Sequence, residues 1–209
     1  AAQCGGALAP LYPCLTALQC AKPDRRLAGI RAKAHAALYN GSTLLADYRG
    51  EVQFTDYGLS GICIMDLTRH LTPAVKSPAV ELDLFPDVAE DALSALFAAR
   101  VPLLPGDTAA DFWLGLLNAK LGRALWQAGL PDADVHRLSA AQWQKLAHTA
   151  KHWRFDGLTP CGWKQAQVTG GGLALTELEP DFQFKGCPGL YFVGETLDCV
   201  GRCGGFNLH

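Results

Sequence analysis

The sequence predicts an α+β fold in which β-rich stretches flank a helical one. Three observations carry that expectation. Residues 29–38 alternate, with Ile30, Ala32, Ala34, Ala36 and Leu38 on one side and Arg31, Lys33 and His35 on the other. A period of two marks a half-buried strand. Residues 86–151 instead show apolar positions at helical spacing, acids in a first turn and a Ser cap. From His152 onward the period returns to two.

Each element has its own signal. LYPCLTALQC (11–20) is apolar with an internal Pro, which suits an edge or bent strand. Asn40-Gly41 is a hairpin turn signal, with LLADYR (44–49) as the returning partner. GEVQFTDYGLSG (50–61) reads as a strand running into a glycine turn. ICIMDLTRHL (62–71) reads as a short helix capped by Ser60 or Gly61. AVELDL (79–84) is a further strand. The segment 86–100 is a helix with Val88, Leu93, Leu96 and Phe97 inward and Asp87, Glu90 and Asp91 near its positive end. Residues 105–131 predict one long helix, capped by Asp107 or Thr108 and stopped by Gly129-Leu-Pro131. Residues 139–150 predict another, capped by Ser139. Trp113, Trp126 and Trp143 then pack a small helical subdomain. WRFDGLTPCGW and KQAQVTGGGLALTELEP read as strands joined by turns. LYFV (190–193), between Pro-Gly and Gly-Glu, reads as a strand buried on both faces. The resulting division is β-rich 1–84, helical 86–151, and β structure afterwards.

Composition narrows the function. The chain has 209 residues and a formal net charge of −2. Its Lys and Arg are scattered, so there is no electrostatic footprint for nucleic acid. No apolar run is long enough for a membrane helix. The first residues lack the basic stretch of a signal peptide, and the only Met is Met65, which predicts a sequence beginning inside a longer protein. The eight cysteines (4, 14, 20, 63, 161, 187, 199 and 203) show no CxxC spacing. They predict reduced thiols of a cytoplasmic protein rather than zinc ligands or a disulfide framework. No Ser/His/Asp set or activated Cys stands out, so no catalytic residue is assigned. His35, His70, His136 and His148 read as structural residues on strand or helix surfaces, and no metal ligand is expected.

Two segments carry the pattern of a binding site. In VTGGG, Thr169 precedes Gly170, Gly171 and Gly172. Successive glycines let backbone approach a flat ligand, though a β-bulge or tight bend explains them equally. They do not fit GxGxxG followed by a helix. In GETLDCVGRCGGFNLH, Gly194, Glu195 and Asp198 follow the end of the expected buried strand, where ligands sit in α/β sheets. Gly204 and Gly205 then precede a helix start at Phe206, Asn207 and Leu208, whose free amides favour an anionic ligand edge.

TGGGLALTELEP, PGLYFVGETLD and GRCGGFNLH, with GEVQFTDYGLSG and APLYPCLTAL, resemble a family of bacterial flavoproteins, the BaiN-like or aminoacetone-oxidase-type NAD(P)/FAD-dependent oxidoreductases. The resemblance implies a β-barrel-like portion and a small helical subdomain inserted into an FAD domain. Residues 1–160 correspond to the insert and 161–209 to a partial, returning FAD segment. It implies FAD and NAD(P)H for the parent protein, an unspecified small-molecule substrate, and a fragment that does not retain FAD and is inactive alone because the Rossmann half is absent. Gly170–Gly172 would meet the flavin ring, Glu195 and Asp198 the ribityl chain, and residues 204–208 the pyrimidine edge. Ile62 stands where the family has Pro after GLSG, removing a favoured helix-start residue. The competing expectation is a non-catalytic, substrate-covering or partner-binding domain. Dimerisation through an exposed strand edge such as LYFV is also expected.

Overall fold

The computed structural model describes residues 5–104, 108–131 and 133–208. Cys4, Asp107 and His209, which figure in the sequence reading, lie outside the described residues. The fold is α+β, as expected. Its largest sheet is antiparallel and contains β2 (Leu18–Gln19), β3 (Arg31–Asn40), β4 (Thr43–Phe54), β5 (Gly58–Ser60), β6 (Pro78–Asp83), β7 (Trp153–Phe155) and β8 (Thr159–Pro160), in the order β7-β6-β3-β4-β5-β2-β8. The two outermost strands, β7 and β8, are consecutive in the chain, with only residues 156–158 between them. Leu158 N–H also donates to the Pro78 carbonyl of β6 at 3.5 Å. The sheet is thereby drawn round into a barrel-like shape, with β7 and β8 unpaired with each other.

Alternation explains the longest ladder. Ala34, Ala36 and Leu38 of β3 are buried while Arg31 and Lys33 are exposed. Asn40 pairs with Thr43, so Gly41 and Ser42 form the two-residue hairpin loop, with Gly41 at φ +63°. LLADYR and GEVQF form one continuous strand across Gly50. A Cβ there would stand 3.1 Å from the Cys63 Cβ, so the glycine lets the short helix α1 (Ile62–Leu67) lie close on β4. Gly61 is its N-cap, without a side-chain bond.

The helical portion holds α2 (Glu90–Arg100), α3 (Ala109–Phe112), α4 (Ala119–Gly129) and α5 (Ala140–Lys151). The expected long helix over 105–131 is broken. Thr108 and Asp111 cap the short α3 reciprocally (Thr108 N–H to Asp111 Oδ2 3.1 Å, Asp111 N–H to Thr108 Oγ1 3.2 Å). Gly115 at φ +79° then leaves helical geometry. Asn118 restarts the helix by accepting the Lys120 amide at 2.9 Å. The break turns Trp113 inward beneath Gly122, where a Cβ would stand 2.1 Å from the indole. Trp113 meets Phe97 and Phe112 edge-on, and Phe112 stacks on Trp143 and contacts Trp126. Ser139 and Gln142 form a reciprocal capping box on α5. One apolar core runs from Leu18 to Leu158 through both barrel and helices.

The remaining chain is built differently. β1 (Leu8–Cys14) pairs with β9 (Val168–Leu173) in a separate two-stranded ribbon. The first strand of the chain therefore joins the late segment rather than the barrel. After Leu173 the strand expected within KQAQVTGGGLALTELEP gives way to a 3-10 turn at Leu175–Glu177. LYFV is not a buried strand. It makes a single bridge, Gln183 to Tyr191, and Tyr191 and Val193 are exposed. Among the described residues no strand flanks it on both sides, so only one face, Leu190 and Phe192, packs on apolar neighbours. Only Leu173, Leu178, Phe184 and Leu197 form a small second core. The seven described cysteines are free thiols. Among the described residues no helix is long and apolar enough to cross a membrane.

Candidate functional site

The ribbon and the segment that folds back across it bring most of the expected site residues together. Gly172 is the joint. A Cβ on it would stand 2.6 Å from the Thr196 carbonyl, so its bareness lets residues 196–197 cross the strand. Leu173 then makes a parallel bridge to Leu197, and Asp198 N–H donates to the Leu173 carbonyl at 2.9 Å. The crossing carries Glu195 back to the start of β9, where its carboxylate accepts the Thr169 amide.

The three glycines answer the choice the sequence left open. A Cβ at Gly170 would strike the Tyr12 ring at 2.3 Å, and one at Gly171, φ +82°, would stand 2.2 Å from the Pro10 carbonyl. Opposite them the ladder register slips between Ala9 and Tyr12. The Cβ side of each glycine is thus filled by protein, and close packing across an irregular ribbon accounts for all three. Gly194, Gly204 and Gly205 differ. Each has positive φ, and an added Cβ would meet nothing within 4 Å. There the backbone is bare and faces open space.

Between these parts lies a cleft of about 390 Å³ bordered by Val168, Thr169, Phe182, Val193, Glu195 and Phe206. Its size falls in the range of small-molecule pockets, roughly 300–1,000 Å³. Phe182, Val193 and Phe206 expose much of their apolar surface beside the Glu195 carboxylate. Asp198 is exposed and is not among the cleft residues. The expected helix start at Phe206–Leu208 is a single 3-10 turn. Asn207 ties it back, accepting the Gly201 amide at 2.8 Å and donating to the carbonyls of Gly201 and Arg202, each at 3.2 Å.

Sequence reasoning missed the residues that hold this segment on the barrel. Asp66, buried on α1, accepts the Cys203 amide at 2.8 Å. Arg69 Nε donates to the Val200 carbonyl at 3.2 Å, and the Tyr12 hydroxyl donates to the Arg69 carbonyl at 3.0 Å. The Arg202 guanidinium lies over the Tyr48 ring at 5.3 Å. The Tyr48 hydroxyl and His70 Nε2 are 2.9 Å apart. Burial, reinforced by the Arg69 charge, holds His70 below the ordinary histidine pKa, against an opposing pull from Asp66. Burial pushes Tyr12 up to about 12. The available signal was a polar Asp66 within the apolar helix ICIMDL, where a buried carboxylate needs a partner.

Residues 12–168 match the family described as HI0933-like protein barrel and H2TH domain. Over 98% of its length the chain is 32% identical to the 3-dehydro-bile acid delta(4,6)-reductase of Clostridium scindens, of which it covers 52%. It is 29% identical over 87% of its length to the ribosomal RNA dihydrouridine synthase of Escherichia coli, covering 44% of that protein. The corresponding enzyme of Haemophilus influenzae is 28% identical over 77% of the chain, which covers 39% of it. The chain spans about half the length, or less, of these curated relatives.

Proposed function

Because the chain belongs to the HI0933-like barrel and H2TH family, we propose that it forms the barrel, helical and cleft-bearing part of a flavin-dependent oxidoreductase. The proposed reaction adds hydrogen to a carbon–carbon double bond, with NAD(P)H as reductant. The relatives' names support the reaction class. One is a delta(4,6)-reductase and two are dihydrouridine synthases, and dihydrouridine is uridine plus two hydrogens. Their substrates differ, a bile acid in one case and ribosomal RNA in the other, so only the reaction is carried over.

The cleft at 168–207 is the observation that carries this reading. A flavin is a flat, largely apolar ring with a polar edge and a hydroxylated chain. The described residues fit such a group. Phe182, Val193 and Phe206 offer an apolar wall, and Glu195 a fixed carboxylate. Gly194 offers backbone with open space where a side chain would stand, whereas Gly204 and Gly205, equally bare, lie outside the cleft lining. Gly170–Gly172 act one step back, since their packing sets the ribbon from which Thr169 and Glu195 project.

A bound flavin supplies the hydride chemistry. The protein's part is position and protonation. Glu195 accepts the Thr169 amide at the border of the cleft, which holds its carboxylate beside the site. Asp66 and Arg69 hold residues 200–203 and thereby set the far lip. The Tyr48 hydroxyl and His70 Nε2, 2.9 Å apart at the same junction of barrel and tail, form a pair able to exchange a proton, and burial favours the neutral imidazole.

The test is a titration of isotopically labelled chain with riboflavin, followed amide by amide. The proposal predicts shifts confined to 168–172 and 193–207, abolished by Gly194→Val. Saturating additions that move no amide, or move only amides of the barrel, would contradict it and favour a cofactor-free, partner-binding domain.

A further inference from the structure

Away from the cleft, three side chains from two helices converge at the junction of helices and barrel. His148 stands in the last turns of α5, His152 follows one turn later at its C-cap, and Glu90 opens α2. The His148 Nδ1 to Glu90 Oε1 distance is 3.1 Å, and His152 Nε2 to Glu90 Oε2 is 3.3 Å. One ligand atom from each of the three lies within 4.8 Å of the other two. We propose that Glu90, His148 and His152 bind a zinc-type first-row divalent cation, with Glu81 of β6 as the residue that orients His152.

The geometry fits such an ion. Ligands at about 2.0–2.1 Å around a tetrahedral centre sit roughly 3.3 Å from each other, close to the two measured separations. Histidines at i and i+4 share one helix face and can grip one ion. Two imidazoles and a carboxylate suit Zn²⁺ over Mg²⁺ or Ca²⁺.

The hydrogen bonding gives a second, independent argument. His152 Nδ1 lies 2.9 Å from Glu81 Oε1. With a cation on Nε2, His152 keeps its proton on Nδ1 and donates it to Glu81. A carboxylate that accepts the far N–H of a ligating imidazole is the usual support of a metal-bound histidine, and Glu81 occupies that position. The two rings also stack, with centroids 4.5 Å apart, so their orientations are fixed together. The ion would tie β6, α2 and α5 at one point and keep a coordination position open to solvent.

The experiment uses the reduced 209-residue chain with Zn²⁺ in competition with a chromogenic chelator, and with Co²⁺ as a spectroscopic probe. The proposal predicts one equivalent bound, a Co²⁺ spectrum of nitrogen and oxygen ligands without thiolate charge transfer, and a Zn²⁺-dependent rise in Tm. His148→Ala and His152→Ala should each weaken binding at least about 10-fold, and Glu81→Gln by roughly 10–100-fold. If a histidine variant fails to fold, Glu90→Gln tests the same site with little change of shape. Absence of binding, thiolate bands, or affinity unchanged in Glu90→Gln would overturn the assignment.

Discussion

The barrel with its helices and the segment after β9 share one chain but are held by different means. In residues 18–158 long antiparallel ladders and an aromatic cluster bury one continuous core. After Leu173 there are 3-10 turns, isolated bridges and a core of Leu173, Leu178, Phe184 and Leu197. The first region is stabilised by apolar area removed from water, the second mainly by hydrogen bonds reaching back to α1 and β9. A segment with so little core keeps its shape by docking, and it is also the one that exposes Phe182, Val193 and Phe206. Sites that receive ligands come from such less stable regions.

Substitutions can separate the two regimes. Trp113→Ala removes the fully buried centre of the aromatic cluster. It should cost about 3–5 kcal/mol and lower the denaturation midpoint of the whole chain. Loss confined to the segment after 168 would break the comparison. Gly171→Ala meets both a positive φ and the Pro10 carbonyl. We expect about 1–3 kcal/mol, seen as lost amide protection in β1 and β9 while the barrel melts as before. Arg69→Ala deletes the bond to Val200. At ~1.5 kcal/mol it should loosen residues 200–207 and leave the barrel's Tm within measurement error.

Thiol chemistry gives the smallest and most local readout. Burial pushes Cys14, Cys20 and Cys63 up to about 11, whereas Cys199 is exposed. Since the thiolate is the nucleophile, alkylation at about pH 8 should label Cys199 first and the buried Cys14 and Cys63 last. Rapid labelling of Cys63 would show that α1 opens from β4. Tyr12 gives a pH check on the docked segment. Its folded pKa, about 12, lies above the unfolded value, so its stabilising contribution is complete below about pH 10 and is lost as pH rises toward 12. Tyr12→Phe should flatten that alkaline loss in a pH series of Tm.

The sequence made the local elements legible where one period dominated. The alternation in β3, the Asn-Gly hairpin and the Ser139 cap each rest on nearest neighbours, and each stands in the fold. The long helix over 105–131 misread Gly115, because helical periodicity on both sides hides one residue that must leave helical φ. LYFV misled for another reason. A short apolar run shows what a segment would bury and says nothing of whether flanking strands are present to bury it. The glycines at 170–172 announced close approach correctly, but only coordinates show that the approaching atoms are Tyr12, Pro10 and Thr196. The Glu90–His148–His152 cluster was readable only in part. HxxxH is visible at 148–152, yet its partner on α2 lies 58 residues away.

Amide hydrogen exchange of the intact chain tests the central claim most directly. The account predicts slow exchange, governed by global unfolding, in β3, β4, β6 and α5, and exchange faster by orders of magnitude over 187–207. Addition of riboflavin should then slow exchange only in the second region and at 168–172. Protection of 187–207 equal to that of the barrel in the absence of ligand would contradict it, because the segment would then be part of one cooperative core rather than docked upon it.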